Sequence, residues 1–252
     1  MSFEVSAEAY AQFMGQFSEP LAVRFADWAG VRRGQRALDV GCGPGALTAV
    51  LTELLEPGAV AAADPSESFV AAARARLPQV DVRRASAEDL PYDSGSFDVV
   101  LAQLVVHFMS DPVAGLREMS RVSVPGGVVA ACVWDHAGGG GPLATFWSAV
   151  RSLDASAPDE SGLAGARAGH LAELATAAGL RDVEEDLLTV TVGFASFDDW
   201  WEPYTFGVGP AGTHVAGLDP DRREELRQRC RELLPAGPFG VTASAWSVRA
   251  RR

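Results

Sequence analysis

Four residues in ALDVGCGPGAL stand at a spacing that suits ligand chemistry: Asp39, Gly41, Gly43 and Gly45 alternate with other side chains between an apolar run and a helical pattern. Closely spaced glycines allow a tight turn and leave amide N–H groups near a helix start, where an anion or a polar ligand group can approach. The spacing is GxGxG, not the dinucleotide pattern GxGxxG, and no GK[ST] follows, which excludes a P-loop. A second carboxylate, Asp64, ends the next apolar run about twenty residues beyond the glycines, where an acid in this topology accepts hydrogen bonds from ribose hydroxyls. A nucleoside-containing ligand is implied. The charge of Asp64 also disfavours a 2'-phosphate.

Two histidines are candidate general bases, because a neutral imidazole titrates near working pH. His107 lies in QLVVHFMSDP, and His136 lies in VWDHAGGGG beside Asp135. The plain alternatives are a local hydrogen-bonding role for His107 and a solvated loop position for His136.

Positioning these residues falls to alternating elements. Strand-like runs occur at 36–40, 59–64, 80–85, 97–103 and 128–134 with helical patterns between them, which predicts an α/β fold with a parallel sheet covered on both faces. In the helix after the glycines, Leu47, Val50, Leu51, Leu54 and Leu55 share one predicted apolar face. Pro57 and Gly58 then stop it. Runs at 183–194 and 241–252 read as two more strands, expected to pair as an antiparallel edge on that sheet. The helix between them, 219–234, presents Leu226, Cys230, Leu233 and Leu234 as its buried face, and its alternating acids and arginines suit a solvated surface. Outside this scheme lie an aromatic N-terminal stretch with Tyr10, Phe13 and Phe17 at helical spacing, a glycine run at 138–141, and an aromatic segment with Trp200, Trp201, Tyr204 and Phe206.

Composition narrows the function. At 252 residues, with 48% hydrophobic side chains, the chain can bury one substantial core. All 21 basic residues are arginine, and the net charge of −12 opposes a phosphate backbone, so no nucleic-acid partner is expected. Without lysine, Schiff-base chemistry is excluded. Three cysteines with no CxxC pairing point to neither a disulfide framework nor a zinc site, and no metal is expected. No apolar run is long enough to span a bilayer and no secretory leader is visible, which predicts a cytoplasmic protein without membrane partners. The arginine-for-lysine and alanine-rich composition points to a bacterial source.

In their order, LDVGCGPG (38–45), DPS (64–66), AEDLPYDSGSFDVV (87–100) and REMSRVSVPGG (117–127) resemble the class I S-adenosylmethionine-dependent methyltransferases, in particular the small-molecule type 11 group. The resemblance covers roughly residues 36–134. It implies a Rossmann-like, doubly wound, seven-stranded sheet, mostly parallel with an antiparallel edge strand, under a helical and aromatic cap. One domain over 1–252 is expected, with a cofactor-binding core at about 31–135 and cap segments at about 1–30, 136–170 and 195–240.

The resemblance also implies roles. The turn of Gly41, Cys42, Gly43 and Gly45 would brace the methionine part of S-adenosylmethionine, supported by Asp39. Asp64, followed by Pro65 and Ser66, would hold the ribose, and Ser86, Ala87 and Glu88 would lie along the adenine. Gln103 and Leu104 would border the sulfonium, and SVPGG would make the turn into the fifth strand. Members of the family often carry Asp where this chain has Ser86, so adenine would be held by a weaker, uncharged acceptor. Tyr10, Phe13, Phe17, Trp134, Trp200, Trp201 and Tyr204 would wall an apolar acceptor pocket. The position after the fourth strand reads AQLV and lacks the Asn/Asp-Pro-Pro-aromatic motif of nucleic-acid amino methyltransferases. The expected reaction is methyl transfer to oxygen, nitrogen or carbon of a small organic acceptor, leaving S-adenosylhomocysteine. The competing readings are a cofactor-binding protein without transferase activity and an NAD-dependent oxidoreductase.

Overall fold

The computed structural model describes residues 9, 11–157 and 160–252. Their strands form a seven-stranded sheet: β1 (Ala37–Val40), β2 (Val60–Asp64), β3 (Asp81–Arg84), β4 (Phe97–Gln103), β5 (Ser123–Trp134), β6 (Arg181–Phe194) and β7 (Phe239–Arg251), in the order β3-β2-β1-β4-β5-β7-β6. β1 to β5 pair in parallel, while β7 is antiparallel to both β5 and β6. The last two strands pair with each other as expected, but the reversed strand β7 lies inside the edge and β6 is outermost. Side chains explain the order. β7 buries Ala243, Ala245, Val248 and Ala250, whereas β6 carries Glu184, Glu185 and Asp186, charges that suit an edge strand.

The chain runs outward from β1 to β3, then returns to β1's other side for β4 and β5. Strand order therefore reverses between β1 and β4, and a crevice opens beyond their carboxyl ends, the usual ligand position in open α/β sheets.

Nine α-helices flank the sheet among the described residues: α1 (Gln16–Trp28), α2 (Ala46–Leu54), α3 (Glu67–Arg76), α4 (Pro112–Val122), α5 (Ala144–Leu153), α6 (His170–Ala177), α7 (Phe197–Trp201), α8 (Gly209–Ala216) and α9 (Pro220–Leu233). Local chemistry starts several of them. Ser66, Asp111, Ser196 and Asp219 accept hydrogen bonds from backbone N–H groups of the first turns of α3, α4, α7 and α9. A π-helical turn at Ala11–Gly15 precedes α1, and it breaks the regular helical spacing expected between Phe13 and Phe17.

Apolar faces are narrower than the periodicity predicts. On α2, Leu47 and Leu51 are buried, as is Leu55 beyond its end, but Leu54 is 39% exposed, because the helix contacts its neighbours along a single i, i+4 row. On α9, Leu226 and Cys230 are buried while Leu233 is 42% exposed, since the helix ends there and its last turn projects past the core. Residues 123–127, expected as a turn, belong to β5, with the exposed Gly126 at positive φ.

Buried side chains cover both faces of the sheet. One face holds Phe17, Leu21 and Phe25 of α1, Leu47 and Leu51 of α2, Phe146 of α5 and the aromatic residues of 200–204. The other holds Leu116, Met119 and Val122 of α4 with Leu171 and Ala175 of α6. No helix among the described residues is long and apolar enough to cross a membrane.

Candidate cofactor and acceptor site

Past Val40 the backbone enters the glycine turn, with φ of +71° at Gly41, +54° at Gly43 and +92° at Gly45. A Cβ at Gly41 would lie 2.4 Å from Cγ2 of Val105, so close approach as well as conformation requires glycine. At Gly43 a Cβ would meet nothing within 4 Å, so the turn is open there. Hydrogen bonds tie this turn to the end of β2. The N–H groups of Gly41 and Cys42 donate to Ala63 O at 2.7 and 3.0 Å. Gly43 N–H donates to Asp64 Oδ2 at 2.9 Å, and Ser66 N–H donates to Asp64 Oδ1 at 2.8 Å. One carboxylate thus fixes two neighbouring turns.

Asp39 is 1% exposed. Its Oδ2 accepts from Thr48 Oγ1 at 2.6 Å, while Oδ1 is enclosed without a hydrogen-bond partner. Burial pushes this carboxyl up to about 7; the Thr48 hydrogen bond works against the rise, and the charge of Asp64 adds to it. Asp64 is likewise raised by burial, with the Ser66 and Gly43 N–H groups opposing. Two enclosed carboxylates beyond adjacent strands, one with an orphaned oxygen, suit a ligand bearing a cation and hydroxyl donors. The donor set and the open glycine turn fit the amino-acid and ribose parts of S-adenosylmethionine.

The other predicted cofactor residues are disposed less uniformly. Cys42 is buried, its thiol pushed well up by burial, which suits packing. Pro65 is exposed and Ser66 caps α3. Ser86 is half-buried, and Ala87 is buried against α4 at Gly115. Glu88 accepts from the N–H groups of Ser110 and Asp111 at 2.8 and 3.2 Å, so its carboxylate anchors the loop before α4. Leu104 is one of two non-glycine residues at positive φ, +61°, among those described, and its N–H donates to Cys132 O at 2.8 Å. That left-handed step leads directly to Val105, the residue packed on Gly41. Gln103 donates from Nε2 to Ser18 O at 3.0 Å, leaving Oε1 enclosed and without a partner.

The two histidines come close to each other. His107 lies on a 3-10 turn, Val106–Phe108, with Nδ1 enclosed and without a partner; burial, then the neighbouring His136, pushes it down to about 3. Its ring centroid is 6.1 Å from that of His136. The His136 side chain is 7% exposed, with Nδ1 4.0 Å from Glu160 Oε2. Glu160 in turn accepts from Trp147 Nε1 at 2.8 Å. Asp135 is used differently, accepting from Gly138 N–H and Trp246 Nε1 at 2.9 Å each, and so holds the glycine run. Sequence reasoning missed Glu160, a loop acid with no spacing signal, and Thr48, whose place on the first turn of α2 beneath Asp39 could have revealed it.

Of the predicted aromatic wall, Tyr10 lies outside the described residues. The others gather on the sheet face that carries Asp39 and Gln103. Phe13 and Tyr204 have ring centroids 5.0 Å apart, and Tyr204 stacks on Phe146 at 4.7 Å beside Trp200 and Trp201. Phe17 lies edge-on to Trp134 at 6.4 Å and 6.2 Å from Phe194. Phe206, by contrast, is 37% exposed.

Residues 38–131 match the protein family described as a methyltransferase domain. The demethylmenaquinone methyltransferase of Staphylococcus aureus is 36% identical over 104 residues, covering 40% of this chain and 43% of that protein. Across the first curated relatives, the matched segment spans less than half of their length. Among solved structures, a methyltransferase-like protein of Bacillus halodurans superposes with a TM-score of 0.59 at 16% identity, covering 91% of this chain and 97% of that one. Phosphoethanolamine N-methyltransferase 2 of Haemonchus contortus, solved with S-adenosyl-L-methionine, gives 0.59 at 18% identity, covering 98% of this chain and 56% of that one. The fold is shared throughout that comparison, and the segment carrying the glycine turn, Asp39 and Asp64 is the one that matches the family. The cofactor-binding core of this chain, residues 38–131, is a class I S-adenosylmethionine-dependent methyltransferase domain.

Proposed function

We propose that this protein transfers a methyl group from S-adenosylmethionine to oxygen, nitrogen or carbon of a small organic acceptor. The observation that carries the proposal is Asp64, buried where strand order reverses and bonded at once to the glycine turn and to the turn after β2. In this reading Asp64 takes the ribose hydroxyls, and the glycine turn with Asp39 takes the methionine end. Ser86 and Ala87 lie along the adenine, with Glu88 bracing the next loop, and Gln103 and Leu104 border the sulfonium. Bound there, the cofactor supplies an electrophilic methyl group. The chain's task is then to align the acceptor and exclude water, which can supply much of the rate of an in-line displacement.

The segments at 1–30, 136–170 and 195–240 cap this crevice in the same reading, and their buried aromatic residues give the acceptor an apolar wall. Where the acceptor must lose a proton, His136 is the better base. His107, held down to about 3, has little appetite for a proton at neutral pH, whereas His136 stands beside the carboxylate of Glu160.

Methyl-labelled S-adenosylmethionine incubated with the protein and a panel of phenols, amines and activated carbon acids tests the reaction. The expected result is label in an organic product with an equal amount of S-adenosylhomocysteine. Tight cofactor binding with no label transferred to any oxygen, nitrogen or carbon acceptor contradicts it and favours a binding protein.

A further inference from the structure

Two polar atoms on one face of the sheet are buried without partners, and they are complementary. Gln103 ends β4 and lies opposite Cys132 of β5, so Trp134, two residues further along β5, projects from the same face. Gln103 is 9% exposed and Trp134 is 2% exposed. Oε1 of Gln103 is an acceptor without a donor, and Nε1 of Trp134 is a donor without an acceptor.

A single stretch of α1 holds both in place. Ser18 O takes the hydrogen bond from Gln103 Nε2, which fixes the amide so that its oxygen, not its nitrogen, is the orphan. Phe17, the preceding residue, sets its ring against Trp134. Leaving a buried donor or acceptor unsatisfied costs about 1–3 kcal/mol, so an oriented pair of this kind marks a place where a polar group of another molecule belongs. Around them the face is apolar and aromatic, with Phe13, Phe17, Trp200 and Tyr204 all buried.

Charge restricts that molecule further. The chain has no lysine. Among the described residues no arginine is buried, whereas Asp39, Asp64 and Glu160 are. A phosphate or carboxylate placed on this face would find carboxylates and no cation to pair with, a costly arrangement away from water.

We propose that Gln103 Oε1 and Trp134 Nε1–H together seat one uncharged hydroxyl or carboxamide group of the acceptor, and that the acceptor is an otherwise apolar, non-anionic molecule. This rests on the transferase reading and sharpens it to a substrate class. The hydroxyl or amide donates to Gln103 and accepts from Trp134, and the apolar body lies among the aromatic side chains. A site that hydrogen-bonds a substrate group rejects analogues lacking it more strongly than an apolar pocket rejects a missing methylene.

Calorimetry with 2-naphthol, 2-methylnaphthalene and 2-naphthoate, each titrated into protein saturated with S-adenosylhomocysteine, tests the assignment. The wild-type protein is expected to prefer 2-naphthol to both others by about tenfold or more, the gain from one well-made pair of hydrogen bonds. Trp134→Phe keeps the ring and removes the N–H, and Gln103→Leu removes the acceptor; in each, the preference over 2-methylnaphthalene should fall to about twofold or less. That preference is a ratio within one protein, so partial loss of folded material does not distort it. Tighter binding of 2-naphthoate, no binding of any probe to the S-adenosylhomocysteine complex, or an unchanged preference in Trp134→Phe overturns the proposal. The last result would mean that the pair holds only solvent. Failure of S-adenosylhomocysteine itself to bind would instead overturn the cofactor assignment, so the two failures are distinguishable.

Discussion

At Gly41 one added carbon meets Val105 at 2.4 Å on a backbone already at φ +71°. Gly41→Ala should therefore destabilise the protein by about 1–3 kcal/mol and weaken cofactor binding, read by thermal melts and by titration. A melting temperature equal to wild type would show that the turn is not clamped by β4's exit. Asp39 and His107 make opposite contributions to pH dependence. Asp39, raised from 3.8 to about 7, holds its proton longer when folded, so its contribution to stability is lost as pH rises through that window. His107, lowered from 6.5 to about 3, binds its proton only when unfolded, so its contribution is lost as pH falls below 6.5. Asn at position 39 still accepts from Thr48 but does not titrate. The stability of Asp39→Asn relative to wild type should rise between pH 3.8 and about 7 and then level off; a difference that does not vary with pH would mean the carboxyl is not raised. Asp39, the glycines and Asp64 were legible in the sequence because their spacing is local to one strand–turn–helix unit and the strand after it. Glu160 beside His136, and Ser18 beneath Gln103, depend on contacts between distant segments that no spacing records.

At the scale of elements, β4 runs over the predicted residues, and the other strands agree within a few residues except β5. That strand begins five residues early, at Ser123 rather than Val128, because Pro125 and Gly126 read as a turn. The structure instead absorbs them in a register shift between the Phe97 and Val99 pairings with β5. The short helix α7 and the residues after it were legible only as an aromatic surplus. Their position against α1 and α5 comes from packing, as in the contacts of Tyr204 with Phe13 and Phe146. Trp200 sits at the centre of that packing at 2% exposure. Trp200→Ala should cost about 3–5 kcal/mol of stability, and, if the cluster walls the acceptor, lower turnover per folded molecule as well. Lost stability with turnover intact would assign these residues to packing alone.

For the whole molecule, the sheet order places the glycine turn, Asp39, Gln103 and Trp134 at the carboxyl ends of three neighbouring strands, with Asp64 closing the side from β2. The alternation of strands and helices made that architecture legible, since parallel pairing with crossover helices leaves few topologies. The acceptor was not legible, because its wall is assembled from segments outside the repeating pattern. Calorimetric titration of the protein with S-adenosylmethionine, S-adenosylhomocysteine and NAD, repeated on Asp64→Ala, decides whether the crevice is the cofactor site. Binding of the first two, weakened by about 10- to 100-fold in the variant as expected for lost hydrogen bonds to a carboxylate, is the predicted result. Preference for NAD, or S-adenosylmethionine affinity that survives the loss of the Asp64 carboxylate, would contradict it.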